Sequence, residues 1–485
     1  MELTEQQQRF ISSYVTEIIN GDAAIFAGAG LSATEGFVNW KDLLRDLAIE
    51  IKLDVDKEHD LIALAQYHFN THKRGKINNK IKNEFTTLSK GGENHKVLAR
   101  LGIITFWTTN YDKLIEKSLD EENKTVEIKM NNADFSSNIK KKDAIVYKMH
   151  GDKDSPDLAV LTKDDYETYN DKRELFSTAL RGDLLSKTFL FIGFSFDDPN
   201  LDYILGRIKV LLKDNTPTHY CFFKAVSEND FKKFVGTDDE KKEAFLYAKI
   251  KQELKIQDLK RYGINAVMVD NYEEITLILK EVENRIKRKN IFISGAAHDY
   301  TPLNESTAGD LVHKLGYQLA EHGYKIVSGF GAGIGGTVIN GALDYKMNSN
   351  YRNLDDLLIL RPFPQRSNSS EIKKLWTTYR HEMIAHAGIA IFMFGNKMED
   401  GKLALSDGMM EEFDICMQRH VLPIPIGCTG WVARQLWDTV ISKMDQHYPN
   451  DPALKLAVTS LGADDLSTEA IIANIFSIIT ILQKL

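Results

Sequence analysis

Cysteine is scarce in this chain: 485 residues carry three, Cys221, Cys416 and Cys428, far apart and never as a Cys-x-x-Cys pair. That excludes a four-cysteine zinc site and argues against a disulfide scaffold, so a reducing cytosol is the simplest compartment. Long apolar runs are missing too. The stretch from Ile471 to Leu485 is rich in isoleucine, but Asn474, Ser477 and Thr480 interrupt it. It falls short of the roughly 20 apolar residues that a membrane span needs and reads as a buried terminal helix. The first residues lack the all-round apolar segment of a signal peptide. Thr4-x-x-Gln7 reads instead as a capping box, and Phe10, Ile11, Tyr14, Val15, Ile18 and Ile19 follow as a one-sided stripe at helical spacing. Nor is there an excess of positive charge: 61 basic residues face 69 acidic ones, for a net charge of −8. Lys140-Lys141-Lys142 and Lys287-Arg288-Lys289 are short enough to be solvated loops. A duplex nucleic acid is therefore not expected as the main ligand.

What is present is an ordinary globular composition, 43% apolar and 27% charged. The length calls for two or three domains. Apolar runs that read as strands are Ala23–Ala27, Ile103–Trp107, Ala144–Tyr147, Phe189–Phe194, His219–Lys224 and Ala266–Val269. Helical stretches such as Lys41–Ile51, Leu61–His68 and Lys241–Tyr262 lie between them. After the charged stretch Glu281 to Asn290 the pattern restarts, with strands at Ile291–Gly295, Tyr324–Ser328, Leu357–Leu360, Ile389–Phe394 and Leu422–Ile426. Ser367-Asn368-Ser369-Ser370 is the most loop-like stretch. Such alternation predicts an α/β protein of two doubly wound, Rossmann-like domains in series, over residues 1–286 and 287–485.

Three strand ends carry chemistry. Gly28-Ala29-Gly30-Leu31-Ser32 follows the first strand, Thr108-Thr109-Asn110-Tyr111-Asp112 the second, and Met149-His150-Gly151-Asp152 the third. Ligands of open α/β sheets bind outside the carboxyl ends of strands. A glycine turn suits a pyrophosphate there, while the other two turns offer a polar positioning group and a proton acceptor. The combination points to chemistry on a dinucleotide. A hydride-transfer enzyme would place an acidic residue at the end of the next strand. Here that stretch, Asp46–Lys52, is helical in pattern.

With Gly193-Phe194-Ser195, these segments resemble, in order and spacing, the NAD-binding core of the sirtuin family, over about residues 10–285. The resemblance implies that Asn110 and His150 serve the nicotinamide ribose and the reaction. It further implies that Gly28, Ala29, Gly30, Ser32, Gly193, Phe194 and Ser195 hold the rest of NAD. Asp112 either orients a neighbour at the NAD site or stabilises its own turn. Sirtuin deacylases generally carry paired Cys-x-x-Cys zinc motifs, which this chain lacks. Their glycine motif runs on toward Pro-x-Phe-Arg, where this one reads Gly36-Phe37-Val38-Asn39-Trp40. Without a peptide-docking module, water is the natural acceptor. The expectation is an NAD hydrolase that uses NAD as substrate and no zinc or other cofactor. Nicotinamide is already a cationic leaving group, so catalysis needs an oriented water and a stabilised oxocarbenium-like ribose. Asn110 can hold a ribose hydroxyl or the water through its amide, and a histidine such as His150 can take the proton at neutral pH.

The second half has glycine turns at Ser294-Gly295-Ala296 and Gly329-Phe330-Gly331-Ala332-Gly333-Ile334-Gly335-Gly336. It resembles the SLOG superfamily, whose members bind or process nucleotide-derived molecules, but lacks the Pro-Gly-Gly-x-Gly-Thr segment of the enzymatic branch. A sensor is therefore expected, with Ser294, Gly295, Gly331, Gly333, Arg380, Lys397 and Glu412 as effector-binding candidates. Arg380 and Lys397 suit phosphates, and Glu412 suits ribose hydroxyls or a base edge. A sirtuin-like core followed by a SLOG domain resembles the effector NADases of the Thoeris antiphage system. That resemblance implies a TIR-domain partner that makes a cyclic ADP-ribose isomer, which the second domain binds to switch on NAD destruction. A protein deacylase and a non-catalytic nucleotide sensor are the alternatives. The N-terminal stripe predicts a homo-oligomer, a tetramer or larger, joined through that helix.

Overall fold

The computed structural model describes residues 3–86, 91–196, 198–213, 215–232, 234–350, 354–363 and 369–484; Asp197 and the Ser367-Asn368 stretch lie outside them. The chain forms two compact units, Met1–Glu283 and Asn284–Leu485. The division falls within the helix Glu273–Arg288.

The first unit is built on a seven-stranded sheet: β1 (Ala23–Ala27), β2 (Thr105–Thr108), β3 (Val126–Lys129), β4 (Ala144–Lys148), β5 (Thr188–Ile192), β6 (His219–Lys224) and β7 (Ile264–Val269). The order is β3-β4-β2-β1-β5-β6-β7, with every pair parallel. All five residues of β1 are buried, as a central parallel strand covered on both faces requires. The chain starts at β1, builds β2 to β4 on one side and then crosses to β5 on the other. Ala27 pairs with Thr108 and with Ile192, and Thr108 pairs with Lys148. The residues that follow, Gly28, Thr109, Met149 and Gly193, therefore leave the sheet side by side at one edge.

The N-terminal helix, Glu5–Asn20, opens on the Thr4–Gln7 capping box. Its stripe of Phe10, Ile11, Tyr14, Val15 and Ile18 is buried, and Ile19 is exposed. Phe10 lies edge-on to Tyr220 and Phe222 of β6, at 5.0 and 5.5 Å. The Tyr14 hydroxyl donates to the Ala24 carbonyl at 2.9 Å. This corrects the expectation that the stripe joins copies of the chain: its apolar face is covered by its own sheet, the usual fate of an amphipathic helix.

The second unit holds β8 (Asn290–Ala296), β9 (Lys325–Ser328), β10 (Leu358–Leu360), β11 (Ile389–Phe394), β12 (Asn396–Glu399), β13 (Lys402–Leu405) and β14 (Leu422–Pro425). A parallel sheet runs β10-β9-β8-β11-β14, and β12-β13 is a separate antiparallel hairpin. The helix Thr468–Lys484 buries Ile471, Ile472, Ile475, Ile478, Ile479 and Leu482. No helix among the described residues is long and apolar enough to cross a membrane.

Candidate active site

Glycine brings two of the four strand ends into contact. The Gly28 N–H donates to the Ile192 carbonyl at 3.0 Å, and the Gly30 N–H donates to the Gly193 carbonyl at 2.8 Å. A Cβ on Gly28 would stand 2.5 Å from the Gly193 oxygen. At Gly193, where φ is +63°, a Cβ would stand 2.1 Å from the Leu31 nitrogen. Only glycine allows backbones to pass this closely. The amides of Gly28 and Gly30 thus bind the last residue of β5 and the residue after it rather than pointing at a ligand, which modifies the picture of a pyrophosphate cradle at those two positions.

Asn110 is fixed from three sides. Its backbone N–H donates to Thr108 Oγ1 at 3.0 Å, and its Nδ2 donates to the Gly28 carbonyl and to Ser32 Oγ, each at 3.1 Å. With both amide hydrogens engaged, Oδ1 is the atom that the side chain can offer a substrate, and it can only accept. Asp112 Oδ1 accepts from the Leu114 N–H at 2.9 Å, while Oδ2 is buried without a hydrogen-bond partner. Asp112 therefore does stabilise its own turn. Beneath it, the fully buried Lys148 at the end of β4 donates to the Asp112 carbonyl and to Asp152 Oδ2 at 2.6 Å. The same ammonium lies 3.0 Å from Glu116 Oε1. Burial opposes its charge, but the surrounding carboxylates outweigh that and raise its pKa. One buried cation thus ties the loop bearing Asn110 to the loop bearing His150.

His150 lies in an aromatic corner, edge-on to Tyr166 at 5.6 Å and to Tyr169 at 6.3 Å. Its Nε2 is 3.2 Å from Asp198 Oδ2, a close contact off the line of an ideal hydrogen bond. Asp198 caps the helix Pro199–Leu212, its Oδ1 accepting from the Asn200 and Leu201 N–H groups at 3.0 Å each. The Tyr166 hydroxyl donates to Oδ2 at 3.3 Å. Burial pushes the Asp198 carboxyl up, but His150 and the two backbone donors prevail and hold it below the usual range.

These groups share a cavity of about 1050 Å³ lined by Ala29, Gly30, Ser32, Asn110, Asp112, His150, Gly193, Phe194 and Ser195. Gly28 stands behind it, presenting its carbonyl to Asn110. Phe37, Val38, Trp40, Leu43 and Phe85 form an apolar wall. The volume is that of a large cofactor-sized site with a few convergent polar groups.

Residues 104–249 match the SIR2-like domain family, and residues 274–482 match the Sir2- and TIR-associating SLOG family. The chain is 45% identical, over 99% of its length and 98% of the relative, to the NAD(+) hydrolase ThsA of Cytobacillus dafuensis. It is 43% identical to the enzyme of the same name in Bacillus cereus, over 100% of both chains. The one in Acinetobacter baumannii is 42% identical over 98% of this chain and 99% of the relative. The chain belongs to the NAD(+) hydrolase ThsA family.

Family membership directs attention to the second unit as well. There Ser294 Oγ donates to Glu412 Oε2 at 2.6 Å, and Arg380 Nε lies 3.3 Å from Glu412 Oε1. Burial raises the Glu412 pKa against the pull of Ser294 and Arg380. Arg380 Nη1 also donates to Glu411 Oε2 at 2.6 Å, a partner that no sequence pattern singled out. Lys397 is on β12, just after β11, and it pairs with Asp407 at 2.5 Å. The helix Asp407–Gln418 begins between the two cations: Lys397 holds Asp407, and a Cβ on Gly408 would stand 2.6 Å from Arg380 Nη2. Gly295, Gly331 and Gly333 form a second close crossing. A Cβ on Gly331 would meet the Gly295 carbonyl, and one on Gly333 the Ala297 carbonyl, each at 2.1 Å. Ser294, Arg380 and Glu412 thus form one contact group, Gly295 meets Gly331 at the ends of β8 and β9, and Lys397 joins the start of the helix that carries Glu412.

Sequence patterns assign no role to Tyr166, nor to Asp198, although the stretch from Gly193 to Leu201 that contains Asp198 is part of the resemblance. The available signal was Asp198-Pro199, an N-cap followed by a first-turn proline just past a strand. Among the described residues, Glu50, His68 and His72 have the types and spacing of a metal site. Glu50 Oε2 is already held by His68 Nε2 at 2.8 Å and by the Lys76 ammonium at 3.0 Å, so this group is an ion-pair cluster outside the cavity lining.

Proposed function

We propose that the first unit hydrolyses NAD to nicotinamide and ADP-ribose, with Asn110 and His150 as catalytic residues. The observation that carries this reading is the meeting of both side chains, from neighbouring strand ends, in one cavity of dinucleotide size. Asn110 Oδ1 accepts a hydrogen bond from the attacking water or a ribose hydroxyl, because Ser32 and Gly28 hold its amide hydrogens away. His150 takes the proton from the water. Gly28, Ala29, Gly30, Ser32, Asp112, Gly193, Phe194 and Ser195 shape the NAD site. The apolar wall around Trp40 excludes water from the rest of the substrate. The reading calls for no zinc or other cofactor. The relatives' shared name supports the same reaction.

The second unit is the switch in this proposal. Ser294, Gly295, Gly331, Gly333, Arg380, Lys397 and Glu412 bind a cyclic ADP-ribose isomer made by a TIR-domain partner, and binding turns on NAD depletion in antiphage defence. Support comes from the match to the TIR-associating SLOG family and from Arg380 and Lys397, two cations near the start of one helix whose carboxylate partners a phosphate would displace. The reaction is placed in the reducing cytosol, in keeping with three buried, unpaired cysteines. A homo-oligomer, a tetramer or larger, fits a switch that must be sharp, since coupling within one subunit is typically about 1–3 kcal/mol. Sedimentation velocity checks the assembly.

Nicotinamide release, measured with and without cyclic ADP-ribose isomers, tests the whole reading. Asn110→Ala and His150→Ala should each remove cleavage with the fold intact, the loss of a general base alone costing about 10²–10⁴-fold. Near-wild-type turnover in either variant would sink the assignment.

A further inference from the structure

The proposed hydrolysis leaves open which nitrogen of His150 takes the proton. We infer that Asp198 is a positioning residue that sets the tautomer of His150, keeping a proton on Nε2 and leaving the Nδ1 lone pair to act as the base. The inference rests on the reading of the cavity as an NAD-hydrolysing site, and it adds a residue and an atom to that reading.

The argument is electrostatic. His150 Nε2 is buried, and Asp198 Oδ2, 3.2 Å away, is the polar atom facing it. If the proton were on Nδ1, the Nε2 lone pair would face a carboxylate at that distance, and two electron-rich atoms would repel. With the proton on Nε2, the same contact is attractive and grows stronger when the ring becomes cationic. Asp198 is not free to turn away. Its Oδ1 is held by the Asn200 and Leu201 N–H groups at the start of a 14-residue helix, and its Oδ2 receives the Tyr166 hydroxyl. Nor is His150, whose ring is packed edge-on against Tyr166 and Tyr169. Nδ1 has no protein partner among the described residues, and His150 lines the cavity.

The step then balances. A water oxygen bonds to the ribose C1′ as the C1′–N bond breaks, and that electron pair leaves with neutral nicotinamide. The water proton passes to His150 Nδ1, and the imidazolium charge that forms lies against Asp198. The arrangement has the logic of a carboxylate behind a catalytic histidine, in which the carboxylate orients the ring and stays unprotonated.

Asp198→Asn tests it, because the amide oxygen can still cap the helix while the charge is lost. Full-length protein labelled with ¹⁵N-imidazole histidine gives the tautomer by long-range ¹H–¹⁵N NMR, with the His150 signal assigned by its loss in His150→Ala. The wild type should show the Nε2–H form, and Asp198→Asn should shift the ring toward Nδ1–H. In the variant kcat for nicotinamide release should fall about 10²–10⁴-fold, with KM for NAD unchanged. Wild-type kcat in the variant, a rise in KM with kcat intact, or an Nδ1–H tautomer in the wild type would each overturn the inference. The last result does not depend on Asp198→Asn and holds even if that variant does not fold. Failure of the wild type to release nicotinamide would instead overturn the reading of the site, since the tautomer is measured without substrate.

Discussion

Gly193→Ala should separate the packing role of the glycine loops from their conformational freedom. Gly193 has φ +63°, and a Cβ there would meet only backbone: Leu31 N at 2.1 Å, Gly30 C at 2.7 Å and Leu31 Cα at 2.9 Å. No side chain can swing aside to relieve this. Placing alanine in the left-handed region costs about 1–2 kcal/mol. Moving the loop away also breaks the Gly30–Gly193 hydrogen bond of 2.8 Å, worth about 0.5–1.5 kcal/mol net. The sum is about 1.5–3.5 kcal/mol before any loss of packing. At about 2–4 °C per kcal/mol for a unit of this size, the melting temperature should drop by about 3–14 °C, with lost packing added to that. Gly21 is the control: its φ is +81°, but nothing lies within 4 Å of a Cβ there. Gly21→Ala should lose only the conformational part, about 2–8 °C, with full turnover. Gly193→Ala should also lose turnover while folded, because the displaced loop carries Ser32, which holds Asn110. Differential scanning calorimetry and nicotinamide release on the two variants read both effects. Equal melting shifts, or full activity in Gly193→Ala, would refute the claim that this backbone crossing builds the site.

Two further expectations concern charge. His219 is buried with Nδ1 accepting the Phe189 N–H at 3.2 Å, and burial pushes its pKa down to about 4. Unfolded histidine titrates near about 6.5, so between these values the unfolded chain binds a proton that the folded chain refuses. Stability from this group is complete above pH ~6.5, falls as pH is lowered through the window and levels off near 4, a loss of roughly 3 kcal/mol. Urea unfolding at pH 7 and pH 5 should show the slope, and His219→Gln should flatten it; an unchanged slope in the variant would refute it. In the second unit, Arg380→Ala should abolish the response to cyclic ADP-ribose isomers and leave Glu412 buried without its cation, which costs more than the pair contributes. Arg380→Lys should recover folding more than response, because a point charge cannot reproduce the fork that reaches Glu411 and Glu412 together. Calorimetric titration with the isomers decides it, and wild-type affinity in Arg380→Ala would remove Arg380 from the site.

What the sequence makes legible follows from how each element is buried. Central strands such as β1 and β11 are apolar along their whole length, so a run of Ala, Ile and Phe marks them without ambiguity. The edge strand β3 escapes such a reading because its buried positions are charged: Glu127 and Lys129 face inward and pair at 2.5 Å, while Ile128 faces out. The β12–β13 hairpin escapes it for a related reason, having no buried apolar face to impose a period of two. The candidate site divides along the same line. Asn110, His150 and the glycines stand directly at strand ends, where the register of four neighbouring parallel strands places them together once the strands are known. Asp198 does not. It reaches His150 only through a cap on the following helix, and a carboxylate that caps a helix looks the same in sequence whether or not its second oxygen faces a histidine. The N-terminal stripe shows the opposite limit. Its periodicity gives a helix with one apolar face, but which surface covers that face depends on Tyr220 and Phe222, some two hundred residues later in the chain. A hydrophobic period fixes that a face is covered and leaves the partner to the fold.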